Sequence, residues 1–281
     1  MKILFIGCGD IAQRTAALLD HGYQCVGVRR NPQHLPAGIV PLAGDVTDHR
    51  QLQSVVSQGF DIWVATLTPA AFTERAYRDS YLAAADSIAK ALAVTQKPPR
   101  LIIWVSSTSV YGDCRGAWVD ECSKTEPDSF SGQILLEAEQ VIQSLPCTST
   151  VVRFSGIYGS EGSRMLSQIM AGKGRPAQPE QWSNRIHRED CAAVLVHLIE
   201  RFIGGESLWQ VYLASDCEPV TQHQLRQWLA AQMSVELKEE SVKPKATRRC
   251  SNRRLLASGY QFKYPSYREG YRALLADGEA R

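Results

Sequence analysis

The stretch KILFIGCGDIA, residues 2–12, runs a short apolar segment straight into a glycine turn and the start of a helix, and its reading decides the fold. The unbroken apolar run ending at Ile6 suits a strand buried on both faces, as in a parallel sheet covered by helices. Gly7, Gly9 and Ala12 follow in G-x-G-x-x-G/A spacing. In such a turn the first glycine allows the tight bend and the second lets the backbone approach a pyrophosphate. The small third residue permits close helix-on-strand packing, with the helix N-terminus toward the phosphates. Gly7, Cys8, Gly9, Asp10, Ile11 and Ala12 therefore form a candidate cofactor loop. Asp10 puts an acid beside the phosphate-facing amides, where it can cap the helix while pointing away from the ligand.

The same rhythm continues outward. Apolar runs QCVGV (24–28), GIVPL (38–42), DIWVA (61–65), RLIIWV (100–105) and TSTVVRF (148–154) alternate with helix-length segments. Helices are expected over about 10–20, from Asp48, over about 73–94, and through FSGQILLEAEQ (130–140). This alternation predicts an α/β fold with a doubly wound parallel sheet, the Rossmann arrangement. Beyond Gly156 the rhythm loosens into a loop-like segment (172–184), a helix (188–202), a strand (208–214), a helix (221–233) and a basic C-terminal segment. The expected division is a dinucleotide-binding domain over 1–160 and a smaller C-terminal substrate lobe over 161–281, some of whose elements complete the sheet.

The second strand ends at Val28. About twenty residues past the glycines, where an NAD site carries an acid for the adenosine 2′-hydroxyl, the chain has Arg29 and Arg30. A guanidinium fork suits a 2′-phosphate, so these residues favour NADP over NAD. Asp45, with Val46 beside it in GDVTD, stands where it can meet the adenine, and an acid there also serves as a helix-start residue.

Composition limits the alternatives. At 281 residues and 44% apolar content the chain can bury an ordinary globular core. It has no run of about 18 apolar residues, and its N-terminal apolar stretch is too short for a signal-peptide core. A cytoplasmic protein with no membrane partner is the expectation. The eight cysteines form no C-x-x-C pair and no His-Cys cluster at metal spacing, so free thiols are expected and no metal. The net charge of +2 makes no overall demand for a nucleic acid. Residues 238–272 nevertheless hold ten Lys or Arg against three acids, which reads either as a solvated face or as an anion-binding surface. Their aromatic residues, Tyr260 to Tyr271, look more like packing than base stacking.

The motifs together resemble the extended short-chain dehydrogenases/reductases, the NAD-dependent epimerase/dehydratase group, and particularly its atypical members with G-x-G-x-x-G/A. The likeness rests on GCGDIA, GDVTD, VSSTSVYGD (105–113), VDE (119–121), RFSGIYG (153–159), NRIHREDCA (184–192) and the closing GYQFKYPSYREGY. It implies a catalytic role for Ser107, four residues before Tyr111, in hydrogen-bonding the substrate oxygen. The other reading of Ser106 to Ser109 is a polar strand end making turn hydrogen bonds. The resemblance also puts Thr66, Thr68 and Pro69 near the nicotinamide side of the cofactor, and Phe154, Ser155 and Ile157 against its ring. His187 and Asp190 match a motif that positions the substrate lobe, for which a structural role is the expectation.

One element departs from the family. Its chemistry uses a Tyr-x-x-x-Lys pair on the helix after the fifth strand, one turn apart, so that the lysine lowers the tyrosine pKa and binds the nicotinamide ribose. Aligned on LLEAE (135–139), those positions are Ser131 and Leu135. Residues 112–157 contain no tyrosine, and their only lysine is Lys124. Positioned acid–base catalysis is worth about two to four powers of ten in rate, so this loss puts the standard chemistry in doubt. Tyr111, Tyr158, His187 or a water are the substitutes the sequence offers. Three readings follow: a redox enzyme acting on a small molecule with a different proton donor, an NADP-binding redox sensor or regulatory partner without turnover, and a scaffold or nucleic-acid-binding protein using the basic 238–272 segment, the least supported. Gly132 and Gln133 are expected to leave room for a ligand, and the helices from Thr73 and Ser131 to present faces suited to a homodimer.

Overall fold

The computed structural model describes residues 1–19, 22–159, 164–240 and 247–279. The chain divides into two compact units, unit 1 comprising Met1–Val110, Thr125–Arg153 and Ala192–Tyr212, and unit 2 comprising Tyr111–Lys124, Phe154–Cys191 and Leu213–Arg281. The chain is thus interleaved, and residues 192–212, beyond the expected boundary at 160, cluster with unit 1.

The strands are β1 (Lys2–Ile6), β2 (Gln24–Arg29), β3 (Ile39–Ala43), β4 (Ile62–Ala65) and β5 (Leu101–Ser107), followed by Ser149–Phe154 and Val211–Ala214. They form one seven-stranded parallel sheet in the order Val211–Ala214, Ser149–Phe154, β5, β4, β1, β2, β3. The order reverses at β1, the switch point at whose carboxyl end such folds bind ligands. The last strand is shorter than LWQVYLA predicts: it begins at Val211, and the Trp209 amide donates to the Tyr212 phenol at 3.3 Å.

In unit 1 the helices begin where the sequence supplies caps. After α1 (Asp10–Leu18), α2 (His49–Val56) is capped by Asp48, which accepts the Arg50 and Gln51 amides. The helix expected over 73–94 is capped by Thr73 but is not uniform: α3 (Glu74–Tyr77) passes through a π-helical turn, Arg78–Leu82, into α4 (Ala83–Val94). The helix expected to carry the missing motif is α5 (Phe130–Gln143), capped by Ser129 on the Gly132 amide. The inner faces of α2, α4 and α5 cover one core with Trp63, Trp104, Ile88 and Ile142. Each fully buried aliphatic or aromatic side chain there contributes about 1.5–3 kcal/mol relative to exposure.

Unit 2 has its own core of Tyr158, Ile169, Leu225, Leu229, Tyr267 and Tyr271. Asp190 is fully buried and accepts the Tyr260 hydroxyl at 2.8 Å and the Lys263 and Tyr264 amides at 2.8 and 3.0 Å. It therefore fastens the C-terminal segment. The His187 ring packs between Tyr158 and Tyr264, with centroids at 5.2 and 4.1 Å. Much of the basic segment is engaged internally. Arg249 donates to the Gly116 carbonyl at 2.7 Å and stacks on Trp118 and Trp182, Lys263 meets Glu189 at 2.6 Å, and Arg268 pairs with Glu218. Lys243 and Lys245 lie outside the described residues. Among the described residues no helix is long and apolar enough to cross a membrane. All eight cysteines are free thiols.

Candidate functional site

A cleft of about 520 Å³ opens in unit 1 at the carboxyl ends of β1, β2, β3 and β4. Its floor is the glycine loop. Gly7 has φ +79°, and a Cβ there would lie 2.9 Å from the Thr66 carbonyl oxygen, so only glycine fits between the loop and the end of β4. The Thr66 hydroxyl donates to the Gly7 carbonyl at 2.7 Å and ties the two loops together. Gly9 is different: a Cβ there would meet nothing within 4 Å. Its side of the loop is open, which is the condition for a phosphate to approach the backbone at the start of α1.

Each residue of the expected cofactor loop has a definite place. Gly7, Cys8 and Gly9 line the cleft, whereas Ala12 is buried under the helix. Cys8 packs its thiol against β2, where a Cβ at Gly27 would lie 2.7 Å from the sulfur. Burial pushes this thiol up to about 11, opposed by the Arg29 charge, so it stays protonated at neutral pH. Asp10 is half exposed and paired with Arg14 at 3.0 Å, which draws its carboxylate along the helix. Ile11, the second residue of α1, does not line the cleft.

Arg29 and Arg30 both line the cleft. Arg29 donates to the Cys8 carbonyl at 3.3 Å, so its guanidinium is held over the edge of the glycine loop. Asp45 and Val46 line it as well. The Asp45 carboxylate accepts the Thr47 amide and hydroxyl at 3.0 and 2.7 Å, fixing the turn after β3. Thr66 and Thr68 complete the wall on the β4 side. The residues present fit a dinucleotide: an open glycine at a helix N-terminus, two guanidiniums at the β2 end, and apolar Val46 and Leu67 between polar edges.

The end of β5 and the start of α5 behave otherwise. Ser107 accepts the Ser109 amide at 3.2 Å, the turn hydrogen bond that its sequence context allows, and keeps its own hydroxyl proton free to donate. Ser131 is buried and shares a 3.1 Å hydrogen bond with the Ser129 hydroxyl; Leu135 is 3% exposed. Gly132 does not leave room for a ligand. A Cβ there would lie 2.3 Å from the Ser109 carbonyl oxygen and 2.6 Å from the Pro127 side chain, so the helix is pressed onto the β5 turn. Gln133 points the other way, donating to the Pro127 carbonyl at 3.3 Å from an exposed position. Further along α5, Glu139 is fully buried and bound by Arg153 through its Nε and Nη2, the latter at 2.6 Å. This pair fastens α5 to its neighbouring strand. Nothing in the spacing of either residue signals it.

Of the remaining candidates, all in unit 2, Tyr111 is 1% exposed, Phe154 is fully buried and Ile157 is exposed. Asp216 stands out in the same unit. Burial raises its carboxyl to about 8, its Oδ2 has no hydrogen-bond partner among the described residues, and its Oδ1 accepts the Glu218 amide at 3.3 Å. The sequence offers no sign of this, because burial is a property of the packed unit.

A family model and solved structures match this chain over almost its whole length. The family model described as the RmlD substrate binding domain matches residues 1–277. A Methylobacillus flagellatus structure, provisionally described as an NAD-dependent epimerase/dehydratase, is 36% identical with a TM-score of 0.83, covering 99% of this chain and 98% of that one. The structure of human epimerase family protein SDR39U1 (isoform 2) with NADPH has a TM-score of 0.71 at 21% identity, covering 95% and 96% of the two chains. Protein YeeZ of Escherichia coli (strain K12) is 37% identical over 114 residues, so the match spans 40% of this chain and 40% of that curated relative's length. The chain belongs to the RmlD substrate binding domain family, among the atypical extended short-chain dehydrogenases/reductases with an epimerase/dehydratase-like Rossmann fold.

Proposed function

We propose that this protein binds NADP(H) and acts as an oxidoreductase of the epimerase/dehydratase class on a carbonyl or hydroxyl group of a small molecule, a nucleotide sugar being one candidate. The observation that carries this reading is the cleft itself, with Gly9 open toward it and Arg29 and Arg30 along its rim. The human relative's structure with NADPH supports a nicotinamide cofactor, and the two arginines are what favour the phosphorylated kind. When bound, that cofactor supplies or accepts the hydride.

This chain's own part is to orient the substrate and handle the proton. Ser107 has a hydroxyl proton to donate to the substrate oxygen. The proton transferred with the hydride comes from a residue outside α5 or from a water. A second reading, binding without turnover as a redox sensor, is favoured by the closed N-terminus of α5, where Gly132 touches the β5 turn and Leu135 is buried.

Titration with NADPH and NADH by fluorescence, followed by the nicotinamide absorbance band with a panel of carbonyl compounds, separates these readings. NADPH oxidation by any member supports the enzyme, and tight binding with none across the panel supports the sensor. Failure to bind either dinucleotide removes both. Replacing Arg29 and Arg30 together by Ala should weaken NADPH about tenfold or more beyond any loss for NADH, since each charge-assisted hydrogen bond is worth about 1.5–3 kcal/mol. Equal losses would mean that neither arginine sees a 2′-phosphate.

A further inference from the structure

The cleft has a polar feature that the glycine loop and the arginines do not explain. Its wall includes Asp79 and Ser80, both on the π-helical turn Arg78–Leu82. Such turns are rare inside α-helices and occur frequently at functional sites. This one is held from two directions. Arg78 reaches Glu74 at 3.3 Å and Glu137 of α5 at 3.1 Å, and the Tyr81 phenol donates to the Leu67 carbonyl at 3.2 Å. The turn is thereby tied to the loop after β4 that forms the adjoining wall.

Sheet order says which part of a dinucleotide the facing wall, beyond β1 from this one, would meet. The pyrophosphate belongs at the glycine loop after β1, and the adenosine half on the side of β2 and β3. Arg29, Asp45 and Val46 follow those two strands and line the same cavity as Asp79. Ser107, Ser131 and Leu135, on the β5 side, do not line it.

An adenine needs apolar groups against its faces and hydrogen-bond partners along its edge. Val46, Leu67, Ala70 and Ala76 supply the first requirement. Its exocyclic amine is a donor and needs an acceptor. One oxygen of the Asp45 carboxylate already serves Thr47. Asp79 faces Arg75 across 3.5 Å, with the two side chains 66% and 92% exposed. A pair so open to solvent is weak, and a ligand can take its place readily.

We propose that Asp79, presented by the π-helical turn beside Ser80, accepts the exocyclic amino group of an adenine nucleotide and makes the cleft select adenine over a base with a carbonyl at that position. The inference rests on the dinucleotide reading of the cleft. A carbonyl oxygen set against this carboxylate would place two acceptors face to face, which penalises the wrong base as well as rewarding the right one.

The test compares NADPH with its hypoxanthine analogue, reduced nicotinamide hypoxanthine dinucleotide phosphate, by direct binding to the full chain and to Asp79→Asn and Asp79→Ala. The wild type should prefer NADPH by about tenfold or more. Asp79→Asn, whose amide both donates and accepts, should bring the two within about twofold or reverse them, and Asp79→Ala should abolish the preference by weakening NADPH. Unchanged melting temperatures of both variants would show that the exposed position is not needed for folding. A wild type with no base preference, or an Asp79→Asn variant that keeps it or loses both ligands equally, overturns the inference while the cofactor reading stands. Absence of binding by either dinucleotide to the wild type overturns that reading and the inference with it.

Discussion

Gly9, the N-cap of α1, and Gly132, in the first turn of α5, both stand at helix N-termini in unit 1, and they are glycine for opposite reasons. A Cβ at Gly9 would meet nothing within 4 Å, whereas a Cβ at Gly132 would collide with the Ser109 carbonyl and Pro127. The first absence of a side chain leaves space for a ligand; the second lets protein pack on protein. The difference teaches that the glycine loop is kept as an open surface, while the N-terminus of α5, the helix that the family resemblance expects to carry the acid–base pair, is packed as core. Glu139 and Arg153, a buried ion pair between α5 and its strand, make the same point.

The largest effects should come from α5. Leu135→Lys, the simplest step toward restoring the lost motif, places an ammonium where the side chain is 3% exposed. It should destabilise by about 3 kcal/mol or more and confer no NADPH oxidation. A stable variant in thermal unfolding would show that the position faces a polar cavity and would break the comparison. Glu139→Ala should cost about 3–5 kcal/mol, because it leaves Arg153 buried without its partner; a loss under about 1 kcal/mol would mean that the pair is not what holds α5.

Gly132→Ala comes next, at about 1–3 kcal/mol, from forcing a methyl group into a closed contact. Its dinucleotide affinity should be unchanged, since the strain lies outside the cleft.

Unit 2 supplies a smaller, pH-dependent effect that touches neither glycine. The Asp216 carboxyl is raised from 3.8 to about 8 by burial, so the folded chain keeps a proton that the unfolded chain releases. Folding then takes up a proton between those values, and stability falls as pH rises through that window, by about 1 kcal/mol between pH 7 and 8. Asp216→Asn should flatten the dependence of melting temperature on pH. A slope unchanged by the substitution would show that Asp216 is ionised in the fold.

The smallest stability change is expected for Gly9→Ala, within about 0.5 kcal/mol, because its backbone at φ −90° suits alanine and the added methyl group meets no protein atom. Dinucleotide affinity should nevertheless fall about tenfold or more, the methyl group standing where a pyrophosphate must approach. If the variant lost stability but kept affinity, the contrast between the two glycines would be reversed.

How much of this was legible in the sequence follows the range of the interaction involved. Strand β1, the turn at Gly7 and Gly9, and the helix starts at Asp48 and about Thr73 are set by residues within a few positions of one another, so periodicity and turn chemistry revealed them. The uniform helix expected over 73–94 missed the π-helical turn, which depends on partners at Leu67 and Glu137. Room for a ligand at Gly132 was a reading of residue size alone, and the Ser109 carbonyl, 23 positions away in the chain, reversed it.

By itself, then, the sequence determined that the chain winds as alternating strands and helices, that it carries a dinucleotide turn followed by two arginines, and that tyrosine and lysine are missing from α5. These are properties of residue identity and near spacing. Only the tertiary structure decided that Gly9 opens on a cleft while Gly132 closes on a carbonyl, that Glu139 finds Arg153, and that Asp79 lines the same cleft as Asp45. Each of those outcomes is a contact between segments far apart in the chain, fixed by how the helices pack on the sheet and by nothing local to the residues that make it.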